Sequence, residues 1–164
     1  AVVVDKEAVS YVSIPYGAVS LAEKFNAHDK ISAQDLFKFY RFVLYKFRQL
    51  PWLLQGTKLP LVLLGGANRT VARKELMRLG RKDLENIHGV SMSAYSFIET
   101  YTEWLGMDRK ERADILGPEA ERADIIIAGL SPIMFLIEYL QTPEIIFSES
   151  GVREGVLYSM LKRK

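Results

Sequence analysis

An α/β fold is predicted by three features of this 164-residue sequence. The apolar run Leu61-Val62-Leu63-Leu64 reads as a strand, Gly65-Gly66-Ala67 as a turn and Asn68 to Leu79 as a helix. The same order returns near the end, with a strand at Glu144 to Phe147, a loop at Ser148 to Gly151 and a helix from Val152 to Lys162. The chain opens on two β-branched and aromatic runs, Val2 to Asp5 and Ala8 to Ile14, which read as a hairpin joined at Lys6-Glu7.

The intervening segments are helical by pattern. Pro15 and Gly17 end the hairpin, and Ala18 to Phe25 carries apolar residues at helical spacing. Ser32 followed by Asp35 approximates a capping box, and Leu36, Tyr40, Val43, Phe47 and Leu50 then recur at steps of four and three, predicting an amphipathic helix. Lys38, Arg41 and Arg48 fall on another face, expected to be solvated. Residues 83–116 read as a helical insertion, with Ser91 or Ser93 as N-cap and Tyr95, Phe97, Ile98, Tyr101, Trp104 and Leu105 as its apolar surface. Gly117-Pro118-Glu119 starts a helix that runs to about Tyr139, with Pro132 expected to kink or break it near Ala128 to Ser131.

Composition narrows the function classes. Hydrophobic residues make up 49% and charged residues 26%, the balance of an ordinary globular domain. A net charge of +2 is too small for wrapping nucleic acid, yet leaves room for a local anion site. The absence of cysteine removes thiol chemistry, disulfides and thiolate metal sites together, and fits a cytoplasmic location. The apolar stretch Ile125 to Ile137 is too short for a bilayer and is expected to be a buried helix. The opening Ala-Val-Val-Val, without an initiator methionine, is expected to mark a fragment.

The most informative chemistry lies at the double glycine. Glycine lets backbone approach a phosphate, and the free N–H groups and positive dipole end of the following helix favour negative charge. Arg69 falls in the first turn of that helix, where a guanidinium can fork onto phosphate oxygens. Arg73, Lys74, Arg78, Arg81 and Lys82 make this helix and the residues after it basic; a solvated face accounts for most of them, with phosphate steering as the lesser reading. Arg122 and Asp124 invite a mutual or capping interaction. His28 and His88 sit in loop contexts and read as structural.

Four segments then occur in order: Gly65-Gly66-Ala67-Asn68-Arg69-Thr70; Ile87-His88-Gly89; Glu121-Arg122-Ala123-Asp124-Ile125-Ile126 with Gly129; and Gly151-Val152-Arg153-Glu154-Gly155-Val156. Together they resemble exopolyphosphatases and guanosine pentaphosphate phosphohydrolases over nearly the whole chain. The resemblance implies one ribonuclease H-like lobe of the actin, sugar kinase and heat-shock ATPase superfamily, a mixed sheet flanked by helices, incomplete at its N-terminus and spanning residues 1–164. It implies phosphate-binding roles for Gly65, Gly66, Asn68, Arg69, Arg122 and Arg153, and Mg²⁺ as cofactor with ligands outside this chain. The family's Asp-x-Gly-Gly-Gly-Ser phosphate loop and its general-base glutamate do not occur here, so no catalytic residue is assigned. Ala67 stands where the family often has threonine.

The expected function is therefore part of a hydrolase releasing terminal phosphate from polyphosphate or guanosine pentaphosphate, inactive alone. The expected partners are that substrate and a missing N-terminal lobe, companion fragment or second copy in a homodimer; no membrane or nucleic acid is expected. The competing readings are a non-catalytic phosphate- or nucleotide-binding module and a kinase of the same superfamily.

Overall fold

The computed structural model describes residues 1–161, the side chains of Val152, Arg153 and Ser159 excepted. Its first element is the hairpin of β1 (Val2–Val4) and β2 (Glu7–Ser10). The turn centres on Asp5-Lys6, one residue earlier than expected, and both residues have positive φ, 49° and 67°. That two-residue geometry matches the strand twist, and no glycine marks it in the sequence. The second strand stops at Ser10 rather than running to Ile14.

α1 (Ala18–Lys24) and α2 (Ala33–Arg48) follow. Ser32 caps α2 by accepting from the Asp35 amide at 3.0 Å. The buried face of α2 is Phe39, Val43 and Phe47, and Tyr40 is exposed, so the apolar stripe is rotated from the expected one. Phe39 wins because it stacks on Phe25 with ring centroids 4.4 Å apart. Lys38, Arg41 and Arg48 are exposed, as the pattern predicts.

A second sheet has the order β3-β5-β4. β3 (Leu61–Leu63) and β5 (Glu144–Phe147) are parallel, with Leu61 opposite Ile145 and Leu63 opposite Phe147. β4 (Ser91–Ser93) pairs antiparallel on the other side of β5. This strand falls within the segment expected to be helical. The segment becomes helical from Ala94, as α4 (Ala94–Gly106) and α5 (Arg109–Leu116), with Ser93 accepting from the Ser96 amide at the cap of α4. The Ile87-His88-Gly89 motif belongs to the same ladder, because the Gly89 amide donates to the Phe147 carbonyl at 2.9 Å. The two sheets are separate, and among the described residues β3 has a neighbour on one edge only.

α3 (Gly66–Arg78) and α4 pack against β5, and α6 (Ile126–Leu140) packs against α1, α2, α3 and α4. α6 divides two cores. One gathers Leu63, Val71, Leu76, Phe97, Trp104, Ile126, Leu130 and Ile145; the other gathers Leu21, Phe25, Phe39, Val43, Phe47, Ala128 and Leu140. Apolar on both sides, α6 is the buried helix its composition predicts.

The break expected at residues 128–131 is found earlier. A 3₁₀ turn at Gly117–Arg122 ends before α6 begins, and the axes of Arg109–Arg122 and Ile126–Leu140 meet at 96°. Ile125, at φ −120°, lies in the break between them. α6 then runs unbroken through Pro132, because packing on two sides outweighs one lost hydrogen bond. Among the described residues no single helix is long and apolar enough to cross a membrane. α7 (Val152–Leu161) closes the described chain.

Candidate anion site

The site grows from the turn between β3 and α3. Gly65 holds φ at 105°, a conformation that L side chains rarely adopt, and thereby turns the chain from strand to helix. The first intrahelical bond runs from the Arg69 amide to the Gly65 carbonyl at 3.1 Å. The amides of Gly66, Ala67 and Asn68 lie ahead of it, where a helix leaves its N–H groups without intrahelical partners. Asn68 is buried and donates through Nδ2 to the Leu64 carbonyl at 2.6 Å, fixing the turn, while its Oδ1 has no partner.

Arg122 reaches this helix end from the 3₁₀ turn. A Cβ built on Gly66 would stand 2.8 Å from the Arg122 Cζ and 3.0 Å from its Nη2, so the guanidinium occupies the space a side chain at position 66 would need. Arg122 is half-buried, its Nε is enclosed without a hydrogen-bond partner, and among the described residues it forms no salt bridge, with Asp124 or any other acid. The expected Arg122–Asp124 pairing is therefore absent among those residues. Gly129 of α6 closes the floor, its backbone close enough that a Cβ there would meet the Ala67 Cβ at 3.2 Å and the Ala18 Cβ at 3.4 Å.

These groups enclose a cleft of about 320 Å³ lined by Leu64, Gly65, Gly66, Ala67, Asn68, Arg122 and the start of α6. Gly65, Gly66, Asn68 and Arg122 thus converge, although they are separated by more than fifty residues in sequence. Arg69 does not join them. It is exposed and outside the cleft lining, because one step along α3 rotates its side chain away from the face that Asn68 presents. The Arg153 side chain lies outside the described residues.

The other cations of α3 are engaged. Arg73 pairs with Glu119 and with Glu85, Lys74 with Glu103, and Arg78 with the buried Glu75 through two bonds of 2.6 and 2.7 Å. They line or flank a larger, more apolar cleft of about 490 Å³ beside Trp104, but their charge is already matched. Arg122 differs in having no acidic counterpart among the described residues.

Sequence reasoning missed Arg112. It is fully buried, and its guanidinium donates to the carbonyls of Ala123 at 2.8 Å, Met107 at 2.7 Å and His28 at 3.3 Å. Burial pushes its pKa below the ordinary arginine value, while Asp29, Asp108 and Asp124 act in the opposite direction. A signal was present: Glu111-Arg112-Ala113-Asp114-Ile115 repeats the five-residue word Glu121-Arg122-Ala123-Asp124-Ile125. The second copy sends its arginine to the cleft and the first sends its arginine beneath it.

No three His, Asp or Glu side chains converge among the described residues in an arrangement that fits a metal ion. The cleft lining contains no carboxylate and no imidazole. The described residues of the lining do not fit Mg²⁺.

Compared with known families, the sequence matches the Ppx/GppA phosphatase family over residues 1–164. The chain belongs to that family. Solved members superpose closely. An Aquifex aeolicus Ppx/GppA family member is 25% identical with a TM-score of 0.80, the match covering 96% of this chain and 50% of the other. The type II variant of the Aquifex aeolicus Ppx/GppA phosphatase is 26% identical with a TM-score of 0.74, covering 90% and 48%. An exopolyphosphatase from Cytophaga hutchinsonii ATCC 33406 shares the fold at 23% identity and a TM-score of 0.80, covering 96% and 51%. No curated protein matches at the sequence level. The chain spans about half the length of these solved Ppx/GppA relatives.

Proposed function

We propose that this Ppx/GppA chain forms one wall of the active site of a hydrolase that releases terminal phosphate from inorganic polyphosphate or guanosine pentaphosphate, and that it is inactive alone. The observation carrying this reading is Arg122, a half-buried guanidinium packed against Gly66 at a helix N-terminus and without an acidic partner among the described residues. Both groups favour negative charge, and both border the same cleft. Gly65, Gly66 and Asn68 shape the amide wall. Arg69, exposed beyond the cleft, is kept as an outer contact for a longer anion, and Arg153 is kept as a phosphate contact on the family resemblance alone. A cysteine-free chain suits the reducing cytoplasm in which such a substrate would be met.

In the complete enzyme these donors would offset the charge that grows on the phosphoryl oxygens while water attacks. By the family resemblance we expect the general base and the glycine-rich phosphate loop to lie upstream of this chain, and the ligands of Mg²⁺ to lie outside it. Absence of the base costs about two to four decades of rate. The chain, titrated with tripolyphosphate in a calorimeter at low salt, should bind weakly and lose that binding in Arg122→Ala, while a phosphate-release assay shows no turnover. Hydrolysis by the chain alone, or binding indifferent to Arg122, would overturn the reading.

The free edge of β3 and the separate β1-β2 hairpin support a missing half. Val62, Leu64, Val3 and Val4 are apolar and about half exposed, and an unpaired strand edge beside such residues is a site for another strand. In a ribonuclease H-like lobe that strand joins the hairpin to the parallel pair. We assign it to the remainder of the parent protein, with a swapped second copy as the alternative. Mixing the chain with a separately produced N-terminal half of a family member should give a one-to-one complex on size exclusion with phosphate-releasing activity. A complex that binds polyphosphate without turnover would favour the non-catalytic module, which the absence of acid or base groups in the cleft lining also fits.

A further inference from the structure

We propose that Arg112 is a positioning residue for the anion cleft: through the Ala123 carbonyl it sets the backbone that places Arg122 over Gly66. The proposal rests on the reading of Arg122 as the anion contact.

A buried guanidinium is a poor choice if packing is its only purpose, because apolar residues of similar volume usually stabilise a core as well or better. Arg112 has 0% exposure and no acid within ion-pair distance among the described residues. Its donors go to three main-chain carbonyls from three segments: the loop between α1 and α2, the end of α4, and the bend before α6. An apolar side chain could fill that space but could not fix three carbonyls at once, which a rigid planar fork does.

The third carbonyl belongs to the residue next to Arg122. Around it the Ala123 amide donates to Ala120 at 3.1 Å and the Ile125 amide donates to Arg122 at 3.0 Å, so Arg112 completes the pinning of a turn that carries the cleft arginine. Arg122 needs this support from behind. Its own head makes no hydrogen bond or ion pair among the described residues, and its fit against Gly66 leaves no room for a methyl group. A shift of the 122–125 backbone by a fraction of an ångström would lift it from the helix end.

The test uses the whole chain, tripolyphosphate as the probe anion, and nitrogen-15 arginine spectra in which the Arg122 Nε–Hε signal reports side-chain order. Arg112→Lys keeps the charge and loses the fork. It should weaken tripolyphosphate binding by about tenfold, the lower end for removal of a supporting hydrogen bond behind a ligand, and shift and broaden the Arg122 signal. Arg112→Lys combined with Arg122→Ala should bind no more weakly than Arg122→Ala alone, since the first change acts through the second residue. Equal binding by Arg112→Lys and the wild type, or losses that multiply in the double variant, overturns the proposal. Equal binding by Arg122→Ala and the wild type removes the anion-site reading and this proposal with it. Should Arg112→Lys fail to fold, the wild type decides: an ordered Arg122 Nε–Hε signal supports the proposal, and a freely averaged one overturns it.

Discussion

Gly66→Ala isolates the geometry on which the site depends. Gly66 occupies the first position of α3 with an ordinary helical backbone, so alanine is conformationally acceptable there and gains up to about 1 kcal/mol of helix propensity. Its methyl group, however, would stand 2.8 Å from the Arg122 Cζ, well inside contact distance. Overpacking of this kind costs about 1–3 kcal/mol when it cannot relax, but the obstacle is the far end of a long side chain, which can swing away. Net stability should therefore change by less than about 1 kcal/mol, the propensity gain offsetting residual crowding. Binding should suffer more. A hydrogen bond to a charged partner contributes about 1.5–3 kcal/mol, so displacing Arg122 should weaken tripolyphosphate about tenfold to a hundredfold. Gly65→Ala is the control: at φ 105° it is strained, but its Cβ would meet nothing within 4 Å. It should cost about 1–3 kcal/mol of stability without displacing Arg122, so any loss of binding by its folded fraction reports crowding of the amide wall itself. Calorimetric titration and thermal melts of both variants give the comparison. Tripolyphosphate binding by Gly66→Ala equal to that of the wild type would refute the reasoning.

Three further outcomes are expected. Burial raises the Tyr101 pKa above its ordinary value of 10.0, with its hydrogen bond to Ser131 opposing the shift. Because the unfolded tyrosine ionises first, this contribution to stability is complete below pH 10 and is lost as pH rises through the folded pKa; melts of Tyr101→Phe and wild type above pH 10 should converge, and a constant gap would contradict this. Ser32→Ala removes the cap of α2 and should cost about 1 kcal/mol in denaturant melts; a change near zero would show that Asp35 caps without it. Gly129→Val should push α6 from Ala67 and Ala18, costing about 1–3 kcal/mol and weakening tripolyphosphate; unchanged binding would separate the cleft floor from its function.

What was legible in the sequence was local. Leu61 to Leu79 reads correctly because a positive-φ glycine between an apolar run and a helix has few other uses. The hairpin turn is misread by one residue because Asp5 and Lys6 adopt positive φ without glycine to announce it. Ser91-Met92-Ser93 has no strand pattern of its own and becomes one only because β5 lies beside it. Phe39 and Tyr40 are adjacent aromatics, and helical spacing alone does not choose between them; the Phe25 ring does. Pro132 looks like a breaker because the two cores that hold α6 straight are formed by distant residues. Arg122 was reached through family resemblance. Arg112, which touches only carbonyls, left no trace but a repeated five-residue word.

The N-terminal ribbon limits what a thermal melt of this chain reports. Of its strands only Val2 is buried, and two-stranded ribbons have little stability of their own in water. Its opening is a local event that removes little apolar area, so amide exchange there should run ahead of exchange in α6. A helical signal followed with temperature would pass over that event, and the midpoint it yields describes the double-cored body from Ala18 onward.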